Sequence, residues 1–324
     1  MKFLRSGGKT MTKTLTHVPE LSLNDFNAGG ASKAAFIEEL AQGFKYYGFI
    51  ILKDHGVSTN LLDDAYRLAA SFFALSDAEK TRYATVAGGQ RGYTPFGKEH
   101  AKDSATPDLK EFWHVGREFP EDSPLINHYP ANIWPDAPAG FKEIFLTLFS
   151  ELEKAGHTLL QALSPTLEVS PDYFREMATD GNSILRLLHY PPIADDADPK
   201  AIRAAAHEDI NLITILVAAN GGGLELLDNQ GNWLPVETDP NNLIVDAGDM
   251  LARITNGIIP ATTHRVVNPS GPNVSRYSMP FFMHPHSDAM LSCLESCKGD
   301  GAKFEDITAG AFLEQRLKEI GLIK

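Results

Sequence analysis

The chain has 324 residues, is 43% hydrophobic and carries a net charge of −13. That length suffices for a full-sized core in one large domain or two. The charge, with no Lys/Arg-rich cluster, argues against a nucleic-acid or membrane-surface partner, because phosphate binding needs clustered cations. Two cysteines, Cys293 and Cys297, make no disulfide framework. They suit a cytoplasmic chain with free thiols. No apolar run reaches the length of a membrane span.

The first residues, MKFLRSGGKTMTKT, are basic and polar and lack the apolar stretch of a secretory signal. Residues 1–17 are expected to be poorly ordered. Phe36, Leu40 and Phe44 recur at helical spacing, with Ser32 as a candidate N-cap. Gly48 to Leu52 reads as a strand. Leu61 to Ala74 reads as a second amphipathic helix, and Ser76 with Glu79 as the cap of a short third one. Val86 to Glu118 mixes Gly, Pro, charges and aromatics, as a substrate-setting loop at a barrel mouth does. The stripe Ile144, Leu148, Leu152, Ala155, Leu159 and Leu163 predicts a long helix over Phe141 to Leu163, backing a sheet.

After Ile184 the pattern changes to turn-separated strands. Ala204 to Ala218, AAAHEDINLITILVA, ends in β-favouring residues. On a strand, His207 and Asp209 share one face, while Glu208 points away. Asn229 to Asn232 forms a turn, with further turns at Ala247-Gly248-Asp249 and Asn256-Gly257. His264 then falls on a separate returning strand. Two imidazoles and one carboxylate on one face of a divalent metal are diagnostic of non-haem Fe(II) oxygenases. Arg276 and Ser278 share one face of the next strand and can hold a free carboxylate near that metal. His284, His286 and Asp288 are a decoy set, since Pro285 interrupts any regular strand there. Thr308 to Ile320 reads as a C-terminal helix.

In this order the motifs resemble the isopenicillin N synthase-like branch of the Fe(II)/2-oxoglutarate-dependent oxygenases. The resemblance runs from about Val18 to the C-terminus. It rests on LRLLHYPP, HEDINLITIL, GGLELLDNQGNWLPV, VDAGDML, TNGIIPATTHRVV and RYSMPFF, and on YYGFIILKDHGV in the first half. Two positions depart from the family: Leu188 where Asn is common, and Glu208 where Thr or a similar small residue is common. The resemblance implies a mainly β fold, a double-stranded β-helix (jelly-roll) core with flanking α-helices. It divides the chain into an N-terminal segment 1–17, a flanking region 18–178, a catalytic jelly roll 179–289 and a helical extension 290–324.

It further implies Fe(II) on His207, Asp209 and His264, with 2-oxoglutarate as co-substrate and O2 as oxidant. Arg276, Ser278 and Tyr190 would contact the 2-oxoglutarate. The expected reaction oxidises an unactivated C–H bond of a small organic substrate by hydroxylation, desaturation or cyclisation, releasing succinate and CO2. Two rivals remain open: an iron oxidase of the same fold that does not use 2-oxoglutarate, and a non-catalytic binding barrel.

Overall fold

The computed structural model describes residues 17–84, 90–99, 107–198 and 200–319. The N-terminal segment expected to be poorly ordered thus lies almost wholly outside the described residues. The strands are β1 (Glu20–Ser22), β2 (Phe49–Lys53), β3 (Gly92–Thr94), β4 (Glu111–Gly116), β5 (Ile184–Tyr190), β6 (Ala204–His207), β7 (Ile213–Asn220), β8 (Leu224–Leu227), β9 (Trp233–Pro235), β10 (Leu243–Ala247), β11 (His264–Val266) and β12 (Arg276–Met283). The helices are α1 (Leu23–Ala28), α2 (Gly30–Tyr47), α3 (Thr59–Phe73), α4 (Asp77–Thr81), α5 (Phe141–Leu163), α6 (Tyr173–Ala178), α7 (Asp249–Ile254) and α8 (Ala309–Glu319).

Two sheets form, one of eight strands in the order β1-β2-β10-β7-β12-β5-β4-β3, the other β6-β11-β8-β9. Among the described residues, all ladders between these strands are antiparallel except β1 with β2. This is the jelly roll, with its two sheets facing each other.

Strand alternation sorts the side chains into two layers. On β7, Ile213, Ile215 and Val217 join the larger core beneath the helices, while Leu216 packs with the smaller core between the sheets. On β5, Leu185 and Leu187 face the helices, and Leu188 and Tyr190 face inward. Helix α5 covers the outer face of the large sheet, with the ring of Phe149 edge-on to Phe281 at 5.0 Å. Gly156 permits that approach, since a Cβ there would fall 2.5 Å from Met283 Sδ.

Behind β4 and β5 a buried ionic knot ties the first half to the barrel. Glu111 accepts from Lys80 Nζ at 2.8 Å, from His189 Nδ1 at 2.7 Å and from Tyr93 Oη. Tyr277 stacks on His189 with centroids 4.7 Å apart.

Helix α5 and the Ser76 capping box form where the sequence places them. Four local expectations need correction. Helix α2 starts at Gly30, so Ser32 sits inside it; Gly29 at φ 74° makes the break from α1 that only glycine takes easily. Asp249–Ile254 is a helical turn, with Gly248 extended at its N-cap. Val86 to Glu118 is not all loop, because Glu111–Gly116 is a fully buried strand of the large sheet. Within that stretch, residues 86–89 and 100–106 lie outside the described residues. Asp209 is not on a strand: β6 stops at His207, and β7 begins at Ile213.

Candidate active site

The register of the small sheet sets the two imidazoles side by side. His264 opens β11 and is the direct antiparallel partner of His207 at the end of β6. Nδ1 of His207 donates to the carbonyl of Ala205 at 2.7 Å, and Nδ1 of His264 to that of Thr262 at 3.0 Å. A carbonyl can only accept, so each ring carries its proton on Nδ1 and leaves Nε2 as a lone-pair donor.

Asp209 reaches the same point from the loop. Its Oδ1 lies 3.8 Å from His207 Nε2 and 3.9 Å from His264 Nε2. The three ligand atoms lie within 4.8 Å of one another, the one such group among the described residues.

The loop carrying Asp209 is held from three sides. Asn211 Nδ2 donates to Thr214 Oγ1 at 3.0 Å, and Thr214 Oγ1 donates in turn to Asp209 Oδ2. The Asp249 N–H donates to the Asp209 carbonyl at 2.7 Å. Gly248 leaves room for this, since a Cβ there would meet Asn211 O at 2.4 Å and Asp209 O at 2.9 Å. Burial opposes ionisation of Asp209, but His264, His207 and the Thr214 hydroxyl outweigh it and hold its carboxyl below the usual range. Loss of water and the neighbouring His264 push His207 down, so that ring favours the neutral form a metal needs. Asp246, fully enclosed beside Asp209, is pushed well up by burial and by that charge. Two imidazoles that present Nε2 and one carboxylate therefore fit a hard-to-borderline divalent ion such as Fe(II).

The same cavity is lined by Arg276, Ser278 and Tyr190. Arg276 is 2% exposed. Its Nε donates to the carbonyls of Gly221 and Gly222 at 3.3 and 3.1 Å, and its Nη1 to Ser278 Oγ at 3.4 Å. Its guanidinium carbon sits 5.1 Å from the centre of the Tyr190 ring. No carboxylate pairs with Arg276 among the described residues, although a buried charge without a counter-ion is costly.

Residues 18–137 match the family described as non-haem dioxygenase in morphine synthesis N-terminal, and residues 181–285 match the 2OG-Fe(II) oxygenase superfamily. The chain is 30% identical to the 2-oxoglutarate-Fe(II) type oxidoreductase hxnY of Emericella nidulans, over 92% of this chain and 90% of that one. It also resembles the crystal structure of a 2OG-Fe(II) oxygenase family protein from Caulobacter crescentus. That match has a TM-score of 0.85 and 42% identity, over 94% of this chain and 99% of the other. The chain belongs to the 2OG-Fe(II) oxygenase superfamily. A full-length Neurospora crassa protein, solved in complex with alpha-KG and thymine, is similar at TM-score 0.83 and 28% identity, over 93% of this chain and 96% of that one. This oxygenase uses Fe(II), 2-oxoglutarate and O2.

All six residues singled out from the sequence of the oxygenase line one cavity: His207, Asp209, His264, Arg276, Ser278 and Tyr190. The decoy does not assemble. His284 is buried and donates through Nδ1 to the Phe282 carbonyl at 3.2 Å, outside the metal-competent group. Glu208 is exposed and accepts from Thr263 Oγ1 at 3.0 Å, away from the cavity. Cys293 and Cys297 are free thiols. Among the described residues no helix is long and apolar enough to cross a membrane.

Sequence reasoning missed Lys110, Arg186, Thr214 and Asp246, which line the same cavity. Alternation along LRLLHY could have found Arg186, since it shares a face with Leu188 and Tyr190.

Proposed function

We propose that His207, Asp209 and His264 hold Fe(II) in this oxygenase, and that Arg276 takes the distal carboxylate of 2-oxoglutarate. Ser278 adds a hydrogen bond to that carboxylate, and Tyr190 walls the same end. The observation that carries this reading is the buried guanidinium of Arg276, without a carboxylate partner among the described residues, in the cavity that the triad lines. A planar fork of donors suits two carboxylate oxygens at once.

Bound Fe(II) supplies O2 activation coupled to conversion of 2-oxoglutarate into succinate and CO2, and so oxidation of an unactivated C–H bond. The chain's own residues do the rest. The Ala205 and Thr262 carbonyls fix the imidazole tautomers, and Thr214 fixes the carboxylate. The apolar walls from Phe49, Leu216, Leu224 and Val266 keep water out of the site. The substrate is a small organic molecule, of the size of the thymine bound by the Neurospora crassa relative. Residues 179–289 form the catalytic jelly roll, flanked by 18–178 and by the extension 290–324.

The test is 2-oxoglutarate turnover by the Fe(II)-loaded protein, scored as succinate, with a panel of small substrates that includes thymine. Succinate formation that rises with one substrate supports the reading. Protein that binds Fe(II) but neither binds 2-oxoglutarate nor yields succinate would sink it.

A further inference from the structure

The cavity has a second basic end. Lys110, on the approach to β4, and Arg186, on β5, line it together with the triad and Arg276. Tyr190 is the register partner of Arg276, and Arg186 lies four residues further along β5 on the same face. At about 3.3 Å per residue the two arginines are roughly 13 Å apart along the sheet.

The two ends differ in charge. Arg276 has no acidic partner among the described residues. Arg186 Nη1 donates to Glu99 Oε1 at 3.0 Å, and its Nε to His114 Nε2 at 2.6 Å. Lys110 Nζ lies 2.7 Å from Glu99 Oε1 and 2.8 Å from Asp108 Oδ2. Two cations thus face two carboxylates, and the cluster is balanced without a guest. Arg186 is also clamped in plane, its guanidinium carbon 4.2 Å from the centre of the Phe112 ring and 5.2 Å from that of Phe282. Its Nη2 makes no hydrogen bond to the described residues and its side chain keeps 15% exposure. With Nε and Nη1 engaged, Nη2 is the donor that the fork has left to offer in the cavity that Arg186 lines.

We infer that Arg186 is the specificity-determining residue of this oxygenase, and that it selects an uncharged substrate bearing a carbonyl oxygen. The inference rests on the 2-oxoglutarate reading, because it takes the Arg276 end as occupied by the co-substrate. A carbonyl accepts from Nη2 and leaves the Glu99 pair intact. A carboxylate guest would add a third negative charge beside Glu99 and Asp108 in a low-dielectric cavity, or would have to displace one of them. Selection against acids is thus built in by Glu99.

The probes are small lactams, imides and aromatic amides, each matched with a carboxylate of similar size. Their binding is measured by anaerobic calorimetry on protein loaded with Fe(II) and 2-oxoglutarate. Neutral probes should bind, with their carboxylate counterparts weaker by roughly tenfold or more, the scale of one lost hydrogen bond. Arg186→Met and Arg186→Lys should each weaken the neutral probes about tenfold, while affinity for 2-oxoglutarate, measured on the same samples, reports an intact fold. Glu99→Gln unbalances the cluster and should strengthen the carboxylate probes by about tenfold. No binding by any neutral probe, preference of the wild type for carboxylates, or unchanged neutral binding in both Arg186 variants would overturn the assignment. Loss of 2-oxoglutarate binding in the wild type would instead overturn the functional reading beneath it.

Discussion

His207 pairs directly with His264 across the ladder of β6 and β11, and their ring centroids stand 4.4 Å apart. Backbone register thus sets the two imidazole donors, and only the carboxylate depends on a loop. His207→Ala, Asp209→Ala and His264→Ala should each abolish measurable Fe(II) binding, whereas Glu208→Ala should retain it. Calorimetric titration with Fe(II) under anaerobic conditions reads this. Equal loss in the Glu208 variant would contradict the placement of that side chain outside the cavity.

Arg276→Ala should weaken 2-oxoglutarate by at least tenfold and leave Fe(II) affinity nearly unchanged. Truncating one partner of a buried charge pair costs about 2–5 kcal/mol. Arg276→Lys should recover only part of the affinity, because a point charge replaces a planar fork. An unchanged dissociation constant for 2-oxoglutarate in Arg276→Ala would refute the carboxylate-anchor role.

Burial pushes His284 down to about 4, with the Phe282 carbonyl and Asp209 only partly opposing it. The unfolded chain binds that proton near the ordinary histidine value, so stability is full above about pH 6.5 and falls as pH drops toward 4. The total is roughly 3 kcal/mol, with a slope of up to about 1.4 kcal/mol per pH unit. Urea unfolding across this window should show a shallower loss in His284→Gln than in the wild type. Identical slopes would mean that His284 does not titrate on unfolding.

Glu111 is the hub of the buried knot behind β4. Burial alone would raise its pKa, but His189, Lys80 and Tyr93 outweigh it and keep it ionised. Glu111→Met should destabilise the fold by up to about 3–5 kcal/mol, since it removes the buried partner of the Lys80 ammonium and leaves it only the solvent-exposed Asp77 carboxylate at 3.1 Å. Adding Lys80→Met should restore part of that loss. A double variant less stable than Glu111→Met alone would show that the exposed Asp77 suffices to balance Lys80.

The sequence by itself determined the chemical types and their order. His207, Asp209, His264, Arg276 and Ser278 are legible because metal and carboxylate binding require those side chains, and turn residues separate the strands that carry them. The α5 stripe is legible for the same local reason, a 3.6-residue period. Tertiary structure decided the rest. Asp209 joins the two histidines through a loop held by Thr214 and the Asp249 N–H, not through strand alternation. Arg186 meets Glu99 across 87 residues of chain, and Glu111 meets His189 across 78. In sequence these are ordinary charges with the look of a solvated surface. Only the closing of the barrel removes water from them, and pairing then decides which charge has a counter-ion among the described residues and which does not.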